Sequence, residues 1–477
     1  MYTVYIPSNL NLGGILAKNP PKFKYNIDCF LYIIGLITEI SSNRKGKLKK
    51  DFEFVFFHTK KLRRKVRNCR EYLNYLIENE IFISDNHYIV NEKSKGYQFS
   101  PTYMTPVIAI DISKFTLCKS LENQTTHEAK YLRKYKHLYK WFNPNLQIDF
   151  EAAENFLKSC YLKGDGSFSE IHKYNANWCS AHRLSIGDFR FHVDNNIHRL
   201  HTNFTTMKRE TRNFITYDGK PFVNVDLSNS QPLLSCSLLD ESFYAKSTSK
   251  NSKLTIHDLI YPNTSITLTN KDIDKIVYNI IMVTKNDQSQ AGHGFQRYKD
   301  LVSSGTFYEA FRDEHYRLNG EYIENRATLK EKVFLMLYDK SWRHKYFDDK
   351  ATQTLINTFP DVFKLFALFK QKDYTFLARL LQTMESTLIL DRITRRIGKE
   401  RPNMPLFTIH DSVVCTVGNE YYVRDIIKEE TLKAIGFSPS VKFEYWDPNN
   451  LKQEIKKRPI TPTPNQYSQT CIPATYL

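Results

Sequence analysis

The segment from Pro405 to Val417, PLFTIHDSVVCTV, has the clearest structural signal in this chain. Two β-prone runs, Leu406 to Ile409 and Val413 to Val417, lie on either side of a polar tripeptide. Such runs predict a β-hairpin whose tip presents His410 and Asp411. A carboxylate at that tip is exposed and rigidly held. Because an aspartate in a turn is also ordinary turn chemistry, the segment gains meaning only with a second one.

A second predicted strand also ends in an aspartate. Residues 220–232 have the sequence KPFVNVDLSNSQP, in which the apolar run Phe222 to Val225 leads to Asp226. If the two strands are neighbours in one sheet, Asp226 and Asp411 face each other with enough negative charge to hold two Mg²⁺ ions. Carboxylate oxygens suit Mg²⁺, and two ions about 3.5–4 Å apart can clamp the attacking and leaving oxygens of a phosphoryl transfer.

The composition indicates a large basic protein. The chain has 477 residues, enough for two or three domains, and its 68 Lys and Arg outnumber its 51 Asp and Glu, for a net charge of +17. This excess predicts a polyanionic partner, nucleic acid first, because Lys and Arg contacts to phosphates supply affinity that does not depend on base sequence. Lys-rich codon usage alone would give the same balance, so the charge does not decide the function.

Cysteine spacing and hydropathy exclude several other classes. The eight cysteines include no C-x-x-C pair, which argues against a zinc ribbon and a disulfide framework. The longest apolar run, Cys29 to Thr38, is too short to cross a bilayer, and the N-terminus has no signal-peptide pattern. We therefore expect a soluble, cytoplasmic protein without a membrane partner.

The N-terminal 120 residues contain a basic helix followed by a hairpin. Residues 60–67, KKLRRKVR, continue into an amphipathic helix that ends near Glu80, and the runs 87–90 and 97–99 predict a hairpin after it. This order resembles a winged helix, the unit found in plasmid and phage replication initiators. The resemblance implies a DNA-binding module over residues 1–120, although a basic helix can also be a solvated face.

Two further segments offer cations near the predicted metal-binding strands. Arg199 and Arg212 lie shortly before Asp226, where they are placed to grip a nucleic-acid backbone. Residues 326–338, RATLKEKVFLMLY, contain no Gly or Pro and predict a helix.

On that helix the residues Arg326, Lys330, Phe334 and Tyr338 are spaced by four. Each step of four advances about 400°, so the four side chains share one face. Such a face offers two cations for a triphosphate and two aromatic surfaces for a base and sugar. An aromatic stripe packed in a core is the alternative.

Together these segments resemble the family A DNA polymerases and the phage-type single-subunit RNA polymerases, over roughly residues 195–447. The segment around Asp226 is similar to motif A, the helix 326–338 to motif B, and His410-Asp411 to motif C. The resemblance implies an α+β fold of the right-hand polymerase type, with palm, fingers and thumb.

The same resemblance implies roles for individual residues. Asp226 and Asp411 would bind both Mg²⁺ ions, helped by the backbone carbonyl of Leu227. Lys330 would contact the incoming phosphates and donate a proton to pyrophosphate, with Arg326 beside it. Such an arrangement is consistent with phosphoryl transfer, which depends on positioning and charge neutralisation.

Other implied contacts involve the nucleotide and the primer-template. Phe334 and Tyr338 would pack against the base and sugar of the incoming nucleotide. The residues expected to touch primer or template are Arg199, which resembles the arginine of an earlier motif, Gln382, which resembles the glutamine before motif C, His410, and Arg212 by its position.

Gln231 bears on the choice between deoxynucleotides and ribonucleotides. Family A DNA polymerases have Glu at the matching position, where it packs on the motif B tyrosine and excludes a 2′-hydroxyl, whereas single-subunit RNA polymerases have Gly. Gln matches Glu in size and can bond to the Tyr338 hydroxyl, which favours deoxynucleotides. Ser412 and the pattern Ser228-x-Ser230 are similar to the RNA polymerases instead, so both sugars stay open.

We therefore predict a winged-helix-like module over residues 1–120, a polymerase core over 121–448, and a disordered tail over 449–477. Within the core, the thumb spans about 121–185 and the palm and fingers about 186–448. The predicted function is DNA-directed DNA synthesis without proofreading, using Mg²⁺, nucleoside triphosphates and a DNA template and primer, in the replication of a mobile element. The alternatives are a single-subunit RNA polymerase or primase, and a non-enzymatic DNA-binding initiator or defence protein on a polymerase scaffold.

Overall fold

A computed structural model describes most of the chain as a mixed α+β fold, the predicted class. The described residues are 2–43, 54–87, 89, 93–122, 128–162, 167–245, 253–259, 269–287, 295–338, 349–371 and 373–451. Residues 452–477 of the predicted tail lie outside this set, as do residues 88 and 90–92 of the predicted hairpin.

The N-terminal part contains a hydrophobic core of its own, built from side chains between Val4 and Cys118. Strand β1 pairs antiparallel with β5, and β4 lies between β2 and β3 in a three-stranded antiparallel sheet. The elements are β1 (Tyr2–Pro7), α1 (Leu12–Lys18), α2 (Ile27–Asn43), β2 (Val55–Phe56), α3 (Thr59–Lys65), α4 (Cys69–Glu78), β3 (Phe82–Ser84), β4 (Gly96–Phe99), β5 (Val107–Ile112) and α5 (Phe115–Glu122).

This region differs from the sequence-based expectation in its hairpin. The basic residues form the short helix α3, and α4 is amphipathic as predicted. The partner of β4 is the segment Phe82–Ser84, which lies before the predicted run 87–90. In the chain between β3 and β4, Ile89 and Lys93 form an isolated β-bridge. Phe82 is 2% exposed, so burial of this side chain favours the earlier pairing.

A mainly helical region follows and leads to the central sheet. Tyr5 of β1 packs edge to face on Trp178 of this helical region, and this contact joins the region to the N-terminal part. The elements are α6 (Glu128–Lys134), α7 (Lys136–Tyr139), β6 (Leu146–Ile148), α8 (Phe150–Tyr161), α9 (Phe168–Ser185), β7 (Phe191–Val193), β8 (Leu200–Thr202), α10 (Asn203–Thr206), α11 (Arg209–Arg212) and β9 (Ile215–Tyr217).

The central sheet is antiparallel and has the strand order β11-β12-β10-β9-β6, with β13 also paired to β10. Its further strands are β10 (Lys220–Leu227), β11 (Leu406–Ile409), β12 (Ser412–Thr416) and β13 (Val441–Tyr445). Every residue of β11 and β12 is buried, as is the run from Phe222 to Val225 in β10. Rings from three separate segments, Phe204, Phe222 and Phe407, pack together beside the sheet. The predicted hairpin at residues 406–417 is confirmed.

The chain between β10 and β11 is helical in its described parts. These helices share one hydrophobic core with the sheet. They are α12 (Ser230–Ser235), α13 (Asn270–Asp287), α14 (Phe295–Ser304), α15 (Phe307–Asn319), α16 (Arg326–Tyr338), α17 (Lys350–Thr358), α18 (Pro360–Lys370), α19 (Phe376–Ser386) and α20 (Thr394–Glu400), with a π-helical segment at Thr387–Ile393, and α21 (Glu420–Ile435) follows β12. Within the described ranges, none of the helices combines the length and apolar character needed to cross a membrane.

Candidate active site

Strand pairing brings the two predicted metal-binding aspartates together, where β10 ends and β12 begins. Asp226 lies opposite Ser412 in the register of β10 with β12, and Ile409 pairs with Ser412 across the hairpin turn. The turn consists of His410 and Asp411, and His410 has the left-handed φ of 54°. The backbone N–H of Leu227 donates to the Asp411 carbonyl at 3.4 Å, so Asp411 lies beside the end of β10.

The electrostatics of the Asp226 carboxyl reflect this placement. Its pKa is raised to about 7, first by burial and then by the negative charge of Asp411, while the charge of Lys330 acts in the opposite direction. Among the described residues, none donates a hydrogen bond to the Asp226 carboxylate. The two carboxylates therefore form a like-charge pair that the described part of the chain does not neutralise by direct contact with Asp226.

Asp411 receives one hydrogen bond from the helix that follows β10. Ser230, the first residue of α12, donates from its hydroxyl to Asp411 Oδ2 at 2.7 Å. Asn229 before it has a left-handed φ of 57°, which turns the chain sharply between strand and helix. This turn places the start of α12 against the tip of the β11–β12 hairpin.

Helix α16 presents the predicted face of two cations and two aromatic rings. The Arg326 guanidinium lies 5.5 Å and the Lys330 Nζ 6.0 Å from the ring centroid of Tyr308, so both cations sit over one ring. The Phe334 and Tyr338 ring centroids are 5.5 Å apart. The two cations thus lie together, as do the two rings, on a helix that forms where the sequence predicts it.

Lys330 and Tyr338 of this face are within electrostatic range of the carboxylate pair. The Lys330 charge lowers the pKa of Asp226. The pKa of Tyr338 is raised, first by burial and then by the charges of Glu385 and Asp411, with Arg199 opposing them. The Lys330 side chain is exposed, so it can contact a ligand that enters the site.

Glu385 is a site residue that the sequence analysis missed. It is 2% exposed and accepts hydrogen bonds from Arg199 Nη2 at 2.5 Å and from the Gln231 side-chain amide. The Ser230 hydroxyl, which donates to Asp411, lies 3.4 Å from Glu385 Oε2. Burial raises its pKa to about 7; the Arg199 charge opposes that rise and the Asp411 charge adds to it. A signal existed in the sequence, because Glu385 follows the buried Leu381 by four residues and thus falls on the apolar face of α19.

The same contacts change the expectation for Gln231. Its side-chain amide nitrogen donates to Glu385, and no hydrogen bond to the Tyr338 hydroxyl accompanies it within the described residues. A carboxylate accepts hydrogen bonds more strongly than a neutral phenol, which explains why Glu385 is the partner.

The residues predicted to touch primer or template occupy different settings. Arg199 is paired with Glu385, and the His410 ring lies 6.3 Å from the ring of His201. Arg212 donates from Nε and Nη2 to the Met207 carbonyl at 3.1 and 2.9 Å, and burial lowers its pKa to about 10. Gln382 lies half-buried on α19. Contact of these residues with nucleic acid stays a prediction.

The donor set suits Mg²⁺ better than a transition metal. In the described part of the chain, no three or more His, Cys, Asp and Glu side chains cluster as a metal site. Two carboxylates and the backbone carbonyl of Leu227 are hard oxygen donors, and Mg²⁺ typically binds one or two carboxylates while keeping water and substrate phosphates as other ligands. The residues present therefore fit Mg²⁺ bound together with a phosphate-bearing substrate.

Comparisons with known proteins give similarities in structure but none in sequence family. No family model matches the chain, and no curated protein matches it. Among solved structures, the chain is similar to the POL domain of Pol1 from M. smegmatis in complex with a DNA primer-template and dNTP, with a TM-score of 0.32 and 11% sequence identity. The similarity covers 62% of this chain and 56% of the mycobacterial domain.

Proposed function

We propose that this chain is a template-directed nucleic-acid polymerase that adds nucleotides by two-metal phosphoryl transfer. The observation that supports this most strongly is that Asp226, near the end of β10, lies beside Asp411 in the turn before β12, with the charge of Lys330 acting on Asp226. A carboxylate pair facing a cationic helix is suited to hold divalent cations on one side of a triphosphate and a positive side chain on the other.

Asp226, Asp411 and the Leu227 carbonyl would hold the Mg²⁺ ions. When bound, Mg²⁺ would neutralise charge on the attacking and leaving oxygens of the transfer. The raised pKa of Asp226, about 7, means that its carboxyl is partly protonated near neutral pH, and a bound cation would displace that proton. The hydrogen bond from Ser230 holds one of the two Asp411 carboxylate oxygens, Oδ2, in place.

The α16 face would bind the incoming nucleotide. Lys330 and Arg326 would contact its phosphates, and Lys330 would give a proton to the departing pyrophosphate. Phe334 and Tyr338, whose rings are neighbours, would pack against the base and sugar. This division follows the order of the side chains along the helix, with cations in the first turns and rings in the last ones.

We propose deoxynucleotides as the substrate because Gln231 is both large and fixed. It is 6% exposed and is tied to Glu385, so its bulk is held in one position within the site. A fixed side chain of this size can exclude a 2′-hydroxyl, whereas a small one cannot.

The N-terminal part would bind DNA as a winged-helix-like module. The element order α2, β2, α3, α4, β3, β4, with β4 in the middle of the sheet, supports this proposal. The exposed cations of α3 supply a surface for phosphates; they are Lys60, Lys61, Arg63 and Arg64.

The test of the function uses purified protein with primed and unprimed DNA templates and either dNTPs or NTPs. Extension of a primer with dNTPs supports the proposal. Synthesis from NTPs without a primer would assign an RNA polymerase or primase instead. Failure of both reactions, with DNA binding retained, would indicate a non-enzymatic DNA-binding protein.

A variant series shows whether any incorporation comes from this site. Asp226→Ala and Asp411→Ala should abolish Mg²⁺-dependent incorporation and leave DNA binding intact. Asp313→Ala, which removes an exposed aspartate of α15, is the matched control and should incorporate normally. Unchanged incorporation in either site variant would end the assignment.

Gln231→Gly tests the sugar proposal separately. Removal of the side chain should raise the use of NTPs relative to dNTPs by about tenfold or more, because a small steric difference in a pocket has an effect of this order. An unchanged ratio would show that another residue selects the sugar.

A further inference from the structure

The Glu385 carboxylate is almost completely buried, yet it contacts three residues of the proposed active site. It contacts Arg199, which lies just before β8, and Ser230 and Gln231, which are the first two residues of α12. A buried charge costs free energy unless it is paired and hydrogen bonded. A contact set of this kind restricts the position of every side chain that takes part in it.

We propose that Glu385 is a positioning residue that sets the sugar selectivity of the site by fixing the side chain of Gln231. The proposal rests on the polymerase function proposed above. Glu385 itself touches neither the nucleotide nor the metal ions in this arrangement, and it acts through Gln231.

The first step concerns the orientation of the Gln231 amide. Its nitrogen Nε2 faces Glu385 and donates a hydrogen bond to the Oε2 of that carboxyl group. Gln231 Oε1 is buried and has no hydrogen-bond partner among the described residues. Glu385 is thus the one hydrogen-bond partner of this side chain within the described ranges, and the contact fixes which way the amide points.

The second step concerns freedom of movement. A glutamine side chain has three rotatable bonds and, when unrestrained, occupies several rotamers. A side chain that moves among rotamers vacates its volume part of the time, and a 2′-hydroxyl can then enter. The bond to Glu385 holds that volume in place, so discrimination depends on Glu385 as well as on the size of Gln231.

The third step connects this contact to the carboxylate pair. Ser230 precedes Gln231, contacts Glu385 at 3.4 Å and donates to Asp411 at 2.7 Å. The position of Gln231 is therefore set relative to Asp411, the residue that would bind metal. Arg199 pairs with Glu385 at 2.5 Å, and its positive charge opposes the rise in the pKa of this carboxyl group that burial causes.

A purely structural role for Glu385, as the counterion of Arg199, makes a different prediction. In that case its loss would lower stability and activity with both kinds of nucleotide equally. The ratio of kcat/KM for a dNTP to that for the matching NTP separates the two roles, because a uniform loss cancels in the ratio.

The experiment measures this ratio on a primed template for the wild type, Glu385→Gln, Gln231→Gly and the double variant. Glu385→Gln keeps the shape and removes the charge, and it should lower the ratio about tenfold. In the Gln231→Gly background the same change should leave the ratio nearly unchanged, because the side chain through which Glu385 acts is gone. Glu430→Gln is the control, since Glu430 pairs with Arg396 outside the site and should keep the wild-type ratio.

A second variant covers the case in which Glu385→Gln does not fold, as judged by circular dichroism. Gln231→Met keeps the length of the side chain, removes the donor and leaves the pair of Glu385 with Arg199 intact. It should lower the ratio in the same way. Wild-type ratios in the folded variants would overturn the positioning role and leave the polymerase function standing, whereas a wild-type protein that incorporates neither nucleotide would overturn both proposals.

Discussion

Two carboxyl groups have the same pKa, about 7, in different environments: that of Asp226, near the end of β10, and that of Glu385 in α19. In both, burial is the largest cause of the rise and Asp411 adds to it. Glu385 accepts hydrogen bonds from an arginine and an amide, and a serine hydroxyl lies 3.4 Å from it. Within the described residues, Asp226 accepts none on its carboxylate.

The difference shows how a fold separates a positioning carboxylate from one that is available to a ligand. The protein itself supplies the donors around Glu385, so this group has little to gain from an added cation. Asp226 is repelled by Asp411 and lacks such donors, so a divalent cation would be its most favourable partner. A similar pKa in the two groups therefore indicates different functions once their partners are considered.

The largest expected effect separates the two groups by activity. Asp411→Asn should lower single-nucleotide incorporation at least about a hundredfold, because it removes a charge that binds metal where phosphate charge develops. Glu385→Gln should lower dNTP incorporation less than about tenfold, since it changes only a supporting contact. Primer extension under single-turnover conditions measures both losses. Equal losses would remove the distinction between the two groups.

The next effect separates them by stability. Glu385→Ala should reduce the free energy of unfolding by about 2–3 kcal/mol, because it leaves the Arg199 charge and the Gln231 donor without their acceptor. Asp226→Ala should not reduce it, because that substitution relieves repulsion with Asp411. Urea denaturation in the presence of EDTA measures both changes. A larger loss in Asp226→Ala would contradict the comparison.

A smaller effect tests cation binding without any substrate. Millimolar Mg²⁺ should raise the thermal midpoint of the wild type, since a ligand at about ten times its Kd adds about 1.4 kcal/mol to the folded state. The midpoint of Asp226→Asn should respond much less, while that of Glu385→Gln should respond like the wild type. Differential scanning fluorimetry provides the measurement, with Ca²⁺ as a second hard cation. An equal response in all three proteins would place the cation elsewhere.

The smallest expected effect is a change in the pH dependence of stability. A carboxyl whose pKa rises on folding binds its proton more tightly in the folded state, so the free energy of unfolding falls as pH rises from about 4 to about 7. Asp226→Asn should make this fall shallower in EDTA, and Glu385→Gln should do the same. Added Mg²⁺ should remove the contribution of Asp226 alone. Denaturation midpoints at several pH values decide the point, and an unchanged slope in both variants would contradict the raised pKa values.

Most of the site was predicted from the sequence, but the contacts of Glu385, its buried carboxyl group, were not. The strand before Asp226, the hairpin at His410 and Asp411 and the helix from Arg326 to Tyr338 all form where the local pattern predicts them. The helix Leu12–Lys18 contains two adjacent glycines, which are poor helix formers. It forms with Asn11 as its cap and with Leu12 and Leu16 buried, so capping and tertiary packing outweigh propensity.

Short patterns in the sequence therefore predicted the strands and the α16 face, because periodicity acts over a few residues. The composition gave the excess of positive charge. Long-range packing established which side chains meet. Glu385 joins Arg199 and Gln231 across 186 and 154 residues of sequence, and the β10–β12 register sets Asp226 beside Asp411. Contacts over such distances depend on how the sheet and helices bury their apolar faces together, and no short pattern in the chain records that outcome.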